Sequence, residues 1–574
     1  MEIDPFTREV VKAALEALGE QMFWSVARTS QSPIIYEVLD YATGLTDGEG
    51  NLITQGNGVT GFLGTVASAV KETILRYGKD LQPGDVIAGN DPYVGGGTHL
   101  SDVSLVMPYF VGGHILAFGA VKAHWPEVGG ASAGSFAHDT PDIFAEGLQL
   151  PFVKLVEGGR LQEGLLKIIA TNVRTPEATL GDFQAQWAAL RQAGARLEEL
   201  VAQYGEETLQ AAMEDILRRG RAMALRALEE LPKGVFQAED FMDDDGFGRD
   251  PIPIRVRVTI DAKRFTVDFT GSSPAVKSSL NTTWAGLEAA CRTAYRALLP
   301  PDYPANEGIF APLEIICPPG TVFTAQRPTP VSTYWEASDH ATDLILKALA
   351  EAIPHRLPAG HHLSVCGTIL AGRHARTGEP FILVEPQAGG WGASRDLDGV
   401  HALVPVGDGD TYNIPAEVVE ARYGLEVLEL ALDLRPGGAG RRRGGRGIRK
   451  TLRIPRGPVL LTATLGRHRI PPWGVAGGQP GTTNGVEIRR RDGTVSWKGK
   501  VAREVLDTGD EVTFRTGTGG GYGDPKAREE ELLWEDLRDG YISVEEAVEM
   551  YGLPPAAVED RMKEWGQSGM ADRH

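Results

Sequence analysis

Residues 89–110 read GNDPYVGGGTHLSDVSLVMPYF, with His99 and Asp102 three positions apart, behind three consecutive glycines and ahead of an apolar run. In an extended strand two such side chains would point to opposite faces, about 10 Å apart, and could share nothing. In a turn, residues three apart approach to about 5–6 Å at Cβ. The glycines at 95–97 favour such a turn, with the strand proper starting near Val103. The next chemically useful histidine is His124 of VKAHWPEVGG, at the far end of the run HILAFGAV. A hairpin of HILAFGAV against VSLVMPYF would return His124 to the end that carries His99 and Asp102. Two imidazoles and a carboxylate with an open position form a recurring set for a catalytic divalent cation. Such a set suits zinc, manganese or iron better than magnesium, which prefers oxygen ligands and water. On spacing alone a surface or capping role for each residue stays open, because His-x-x-Asp is a common chance pattern.

Other motifs promise less. Gly56, Gly58 and Gly61 form a GxGxxG between a strand and a helix, the setting of a dinucleotide fingerprint. The strand NLITQ does not read as a buried parallel strand, and no acidic residue clearly ends the next strand about twenty positions on. A loop that shapes a substrate pocket is the expectation. There is no Walker A motif. TGTGGGYGDP reads as a structural turn, since Asp524-Pro525 separates it from any helix. Cys317 has no histidine partner nearby and reads as a strand residue. A strand would splay His361 and His362 to opposite faces, so they read as ordinary polar residues.

The elements that must position these residues follow from periodicity. Residues 6–29 place Phe6, Val10, Leu15, Leu18 and Met22 at helical spacing. IIYEVLDYATGLTD and GNLITQ read as two strands joined at DGEGN, followed by a helix in GFLGTVASAVKETILRYG. Residues 85–118 are β with glycine turns. Thr175 and Pro176 suit a helix start, and a helical pair runs to about Leu231 with a break near YGEET. Residues 232–505 are mostly β, with helices near 284–297 and 337–352. Ser543 and Glu546 form a capping-box pattern in a helical tail. The expected fold class is α+β: a multi-domain, β-rich protein with an N-terminal metal-bearing region and a helical C-terminal tail. The expected regions are 1–231, 232–505 and 506–574.

A chain of 574 residues is long for one core. Its 42% hydrophobic and 23% charged residues are ordinary for a globular protein. The net charge of -20 excludes a nucleic-acid binder. The run RRRGGRGIRK (441–450) is the local exception, expected as a solvated loop facing the protein's own acids. Three scattered cysteines and an acidic, polar N-terminus point to the cytoplasm.

The strings NDPYVGGGTHLSDV, AHWPEVGG, EGLQLPFVKL with NVRTPEATLGD, GGWGASRDLDG and GGGYGDP closely resemble, in order, the hydantoinase B/oxoprolinase family. That resemblance covers nearly the whole chain. It implies a divalent metal held by His99, Asp102, His124 and a fourth ligand, Asp40 of IIYEVLDY. Glu127 would then orient His124 or act as a general base. Two positions depart from the pattern: Val38 stands where many relatives carry Arg, and Glu127 where many carry Asp. The resemblance further implies a hetero-oligomer in which ATP is bound by an A-type subunit. The implied activity is ATP-dependent hydrolysis of a hydantoin-like or lactam ring. The alternatives are a subunit of an ATP-dependent ketone carboxylase, or a non-catalytic scaffold with a structural metal.

Overall fold

The computed structural model describes residues 4–567 apart from 57 and 249. Its N-terminal part is built on seven strands: β1 (Tyr41–Asp47), β2 (Leu52–Gln55), β3 (Val86–Gly89), β4 (Asp102–Val111), β5 (His114–His124), β6 (Val153–Glu157) and β7 (Arg160–Leu161). They form one sheet in the order β2-β1-β5-β4-β3-β6-β7. Alternate residues of its central strands feed two separate cores. Val103, Leu105 and Val121 pack with Leu15 and Leu18 of the helix Pro5–Thr29 and Leu190 and Leu197 of the helix Pro176–Tyr204. Val106, Phe118 and Ala120 pack on the other face with Val66 and Val70 of the helix Thr65–Tyr77. A sheet covered on both faces explains why these antiparallel strands read as nearly continuous apolar runs.

One expectation needs correction here. IIYEVLDYATGLTD is not a single strand: Pro33–Tyr36 is a short helix, and β1 begins only at Tyr41. Pro33 presets a helical φ at the first position. The Asp182 carboxylate accepts from the backbone N–H groups of Gln31 and Ser32 and from the Ser32 hydroxyl, which anchors the segment. Asp40 therefore lies just before the strand rather than inside it.

The second sheet takes β8 (Gly234–Met242), β9 (Ile252–Ile260), β10 (Phe265–Asp268) and β11 (Leu313–Ile316), in the order β11-β10-β9-β8. The parallel pair β10 and β11 is joined by a crossover containing the helix Trp284–Ala297. With the helix Trp335–Leu349 this sheet builds its own core. Residues 367–515 add β12 (Gly367–Arg373), β13 (Pro380–Glu385), β14 (Glu426–Leu432), β15 (Ile448–Arg453), β16 (Val459–Thr464), β17 (Gly485–Arg489), β18 (Val495–Lys498), β19 (Lys500–Leu506) and β20 (Glu511–Arg515). These make two sheets, β13-β12-β16-β19 and β14-β15-β20-β17-β18. Ile369, Leu383, Leu461 and Phe514 join the core that already holds Val103 and Val121. Late strands thus close over the N-terminal sheet. The tail is helical from Glu530, and Ser543 with Glu546 makes both capping-box bonds.

TGTGGGYGDP is interleaved backbone rather than an isolated turn. Gly390 donates to the Gly517 carbonyl, Gly519 to Gly445 and Gly438 to Gly519, so several glycine segments bond directly to one another. A Cβ at Gly519 would fall 2.0 Å from the Trp391 carbonyl oxygen. The basic run meets its own acids, as Arg442 pairs Glu529 and Arg443 pairs Asp536. It is not solvated throughout, since Arg443, Arg446 and Lys450 are buried.

A pH-sensitive contact ties the second sheet to the third. His468, beyond β16, places Nδ1 2.8 Å from Asp243 and Nε2 2.9 Å from Asp244, both beyond β8. Burial alone would lower the imidazole's pKa, but hydrogen bonds to Asp243 and Asp244 outweigh it and push the pKa up to about 9. A folded pKa above the unfolded value means stability that is complete below about 6.5 and lost as pH rises through the folded value. Urea unfolding is expected to weaken by on the order of 2 kcal/mol between pH 6.5 and 9.5. His468→Gln should flatten that slope, and an unchanged slope would refute the assignment.

Candidate metal centre

The register of the β4–β5 hairpin pairs Asp102 directly with His124. Pairing of β1 with β5 continues one step further, as the His124 N–H donates to the Asp40 carbonyl at 3.0 Å. His99 reaches the same place from the loop before β4, whose Asp102 N–H donates to the His99 carbonyl. That loop is folded so tightly that only glycine fits. A Cβ at Gly97 would lie 1.9 Å from the Asp91 carbonyl oxygen, and Gly96, at φ +77°, would put one 2.3 Å from the Thr65 carbonyl oxygen.

Three ligand-type atoms converge as a result. His99 Nε2 lies 2.9 Å from Asp102 Oδ1 and 3.1 Å from His124 Nδ1, and His124 Nδ1 lies 3.3 Å from Asp102 Oδ1. Asp40 Oδ2 stands 3.7 Å from His124 Nδ1. His99, Asp102 and His124 are buried, while Asp40 keeps 24% of its side chain exposed on the cavity wall.

The surrounding bonds settle which atoms carry lone pairs. His99 Nδ1 is 2.9 Å from the Ser332 carbonyl oxygen. A carbonyl can only accept, so Nδ1 carries a proton, and Nε2 is the ring nitrogen turned towards Asp102, with a lone pair to offer whenever the ring carries one proton. The buried Lys122 ammonium donates to Thr98 Oγ1 at 2.9 Å and to the Gly96 carbonyl at 2.7 Å. The Thr98 hydroxyl in turn donates to Asp102 Oδ2, leaving Oδ1 aimed at His99. Two acceptors 2.9 Å apart need a proton or a cation between them. His124 Nε2, also buried, has no partner among the described residues. The donor set therefore fits a divalent cation held by His99, Asp102 and His124, with Asp40 beside it.

Electrostatics agree with geometry. Burial opposes charge on Asp102, but positive charge shared with His99 across the 2.9 Å contact, together with His124 and Lys122, outweighs it and holds the carboxyl well below the usual range. Burial pushes Asp40 up to about 7 despite His124. Burial also pushes the Lys122 ammonium down to about 8.

A cavity of about 40 Å³ opens beside these atoms. Ile34, Val38 and Val59 form one wall, and Phe136, Tyr334 and Trp335 another. The His99 ring lies 5.1 Å from Tyr334 and 5.8 Å from Trp335, centroid to centroid. Asp408, Thr411 and Glu385 also line it, beside Val365 and Val384. Burial pushes Asp408 up to about 7. None of these later residues stood out in the sequence. The one available signal was VSTYWEASDHATD, a stretch rich in polar residues that the helix Trp335–Leu349 buries almost throughout.

Glu127 sits elsewhere. Its carboxylate accepts from the Gly129 N–H, from Ser135 Oγ at 3.3 Å, and from the Arg174 guanidinium at 2.7 Å. It makes no bond to His124, and instead ties the loop after β5 to the start of the helix Pro176–Tyr204. The GxGxxG glycines serve close packing. The Gly61 N–H donates to the Gly407 carbonyl at 2.6 Å, and a Cβ at Gly58 would lie 2.3 Å from the Tyr41 carbonyl oxygen. The preceding β2 is antiparallel to β1, so no dinucleotide crossover exists there. Val59 of that loop does line the cavity, as expected of a pocket-shaping loop. His361 and His362 are core residues, and burial pushes both pKa values down to about 3.

The hydantoinase B/oxoprolinase family profile matches residues 4–525. The B-type subunit of a putative D-/L-hydantoinase from Pseudomonas sp. (strain NS671) is 30% identical over 572 residues, covering 96% of this chain and 95% of that one. The crystal structure of ATP-dependent caprolactamase from Pseudomonas jessenii superposes with a TM-score of 0.90 at 27% identity, over 98% of this chain and 100% of that one. A nucleotide-free acetone carboxylase structure matches with a TM-score of 0.89, over 100% of this chain and 84% of that one. Its identity is 18%, so that likeness is one of fold.

Proposed function

We propose that this chain, which belongs to the hydantoinase B/oxoprolinase family, is the metal-bearing subunit of an ATP-dependent enzyme that opens a hydantoin-like or lactam ring. The observation that carries this reading is the convergence of His99, Asp102 and His124 within 4.8 Å of one another beside an apolar cavity. The hydantoinase relative is named as a subunit and the caprolactamase as ATP-dependent, which supports an ATP-binding A-type partner here. Its three free cysteines fit a reducing cytoplasm, and no described helix is long and apolar enough to cross a membrane.

Amides resist hydrolysis because their carbonyl is resonance-stabilised, and phosphorylation of the carbonyl oxygen by ATP removes that protection. A zinc, manganese or iron ion held by His99, Asp102, His124 and Asp40 would polarise an oxygen or lower the pKa of a water towards about 7. The protein's own task is positioning. Ser332 holds the His99 tautomer, and Lys122 with Thr98 holds the Asp102 carboxylate. The Tyr334, Trp335 and Phe136 rings give the cavity an aromatic wall. A purely structural metal fits less well, because closed structural sites favour thiolates and all three cysteines lie outside this cavity.

The assay that decides the reaction feeds the assembled complex a cyclic amide or a ketone, with and without labelled bicarbonate. Ring opening that does not depend on bicarbonate is the expected result. Stable label in a ketone-derived acid would replace hydrolysis with carboxylation.

A further inference from the structure

We infer that β14 is the contact through which two copies of this chain pair, edge to edge and antiparallel. The strand, Glu426–Leu432, is the outermost of the sheet β14-β15-β20-β17-β18 and pairs on one side only, with β15. Just beyond it, the Asp433 N–H donates inward to the Gly447 carbonyl. Backbone donors alternate sides along an antiparallel strand, so the amides of Leu430 and Leu432 point outward. The Val427 N–H, at the start of the strand, is taken by the Glu420 carboxylate at 3.0 Å. Among the described residues, nothing from outside the sheet bonds the amides of Leu430 and Leu432. An unpaired edge of this kind is a template for another strand.

The other long edges are guarded. β8 carries Glu239 and Asp240, and the Lys347 ammonium caps the Glu239 carbonyl at 3.1 Å. β13 opens on Pro380, and β19 carries Lys500 and Arg503. β14, EVLELAL, has neither proline nor lysine. Instead Leu428, Leu430 and Leu432 stand 38%, 46% and 38% exposed. Leu430 and Leu432 lie opposite Lys450 and Ile448, which are buried, so the leucines form the open rim of a covered layer.

A second copy suits this edge because the edge is complementary to itself. Where Leu430 meets its own copy across a two-fold axis, Leu428 meets Leu432 and Glu429 meets Ala431 of the second copy. Moving the axis one residue back sets Glu429 against Glu429, and one residue forward sets it against Asp433. Both alternatives oppose acidic positions, which destabilises a strand pair. Within its own sheet Glu429 is matched by Arg449, and Glu426 by Arg453. A two-fold contact of this sort closes on itself, so it yields a dimer and no larger array.

The test follows the mass of the purified full chain by sedimentation equilibrium at concentrations on the order of 1–100 µM, as suits a small interface. The mass is expected to climb towards that of two chains. Leu430→Lys sets two ammonium groups opposite one another and should raise the dissociation constant at least about tenfold. Its circular dichroism should be unchanged, because the Leu430 side chain is half exposed. Cysteine substitutions read the register. Residues directly opposite in an antiparallel pair lie about 4.5–5.5 Å apart at Cα, within disulfide reach. Mild oxidation should therefore link Leu430→Cys to its own copy, in the isolated chain and in the complex with an A-type subunit. Leu432→Cys should stay unlinked, since its two copies would lie about 13 Å apart along the strands. The wild-type chain, with its cysteines buried or half-buried, is the control. A monomer at every concentration, a mass unmoved by Leu430→Lys, or equal linking at both positions would overturn the inference. So would slowed hydrogen exchange at Leu430 and Leu432 that depends on an added A-type subunit, because that partner would then hold the edge.

Discussion

Replacing His99 with alanine is expected to abolish metal binding while the fold survives. The purified wild-type chain should carry about one divalent ion, as its single set of three convergent ligand atoms among the described residues allows. The variant should carry none after dialysis. Far-UV circular dichroism should be unchanged, because His99 is presented by a loop and pairs with no strand partner. Turnover by the assembled complex should fall at least about a thousandfold, since a catalytic metal contributes several kcal/mol to the transition state. Asp102→Asn should behave alike, since it replaces a charged oxygen ligand on the same pair of strands. Full metal content in the His99→Ala protein would end the assignment, whatever its activity.

The second large effect concerns the partner. The isolated chain should hydrolyse neither ATP nor a cyclic amide, and co-expression with an A-type subunit should restore both. The loop with the GxGxxG pattern is occupied by its own packing, with Gly61 against Gly407 and Gly58 against Tyr41. The glycines at 517–521 are consumed by pairing with backbone between residues 360 and 479. Neither can cradle a triphosphate without unfolding its surroundings. The restored rate should exceed that of either chain alone by at least about a thousandfold, because the reaction needs the activating phosphate as well as the positioned carbonyl. Sustained ATP hydrolysis by this chain alone, free of contaminating ATPase, would refute the division of labour.

The two histidines and the aspartate were legible because they are local. His99 and His124 are 25 residues apart, and the two apolar runs between them, joined at a glycine turn, form the hairpin that returns one to the other. Asp40 was reached through family resemblance, and its strand was drawn too long because a proline-started helix was hidden in an apolar run. Glu127 has partners that no local pattern announced. Proximity to His124 in sequence says little once the chain leaves the strand, and Arg174, 47 residues on, captured the carboxylate. The basic run was rightly matched to acids, but its burial depended on the helical tail folding back over it.

By itself the sequence determined the central N-terminal strands, most of the helices and the chemistry of the candidate ligands, since short-range periodicity and turn glycines specify those. Only the tertiary structure decided the state of those ligands and the character of the space beside them. The carbonyl that sets the His99 tautomer belongs to Ser332, 233 residues away, and Tyr334, Trp335 and Asp408 come from segments equally remote. Such contacts leave no local pattern, because a cavity wall is assembled wherever distant backbones meet, and its polarity is a property of the packing rather than of any one segment.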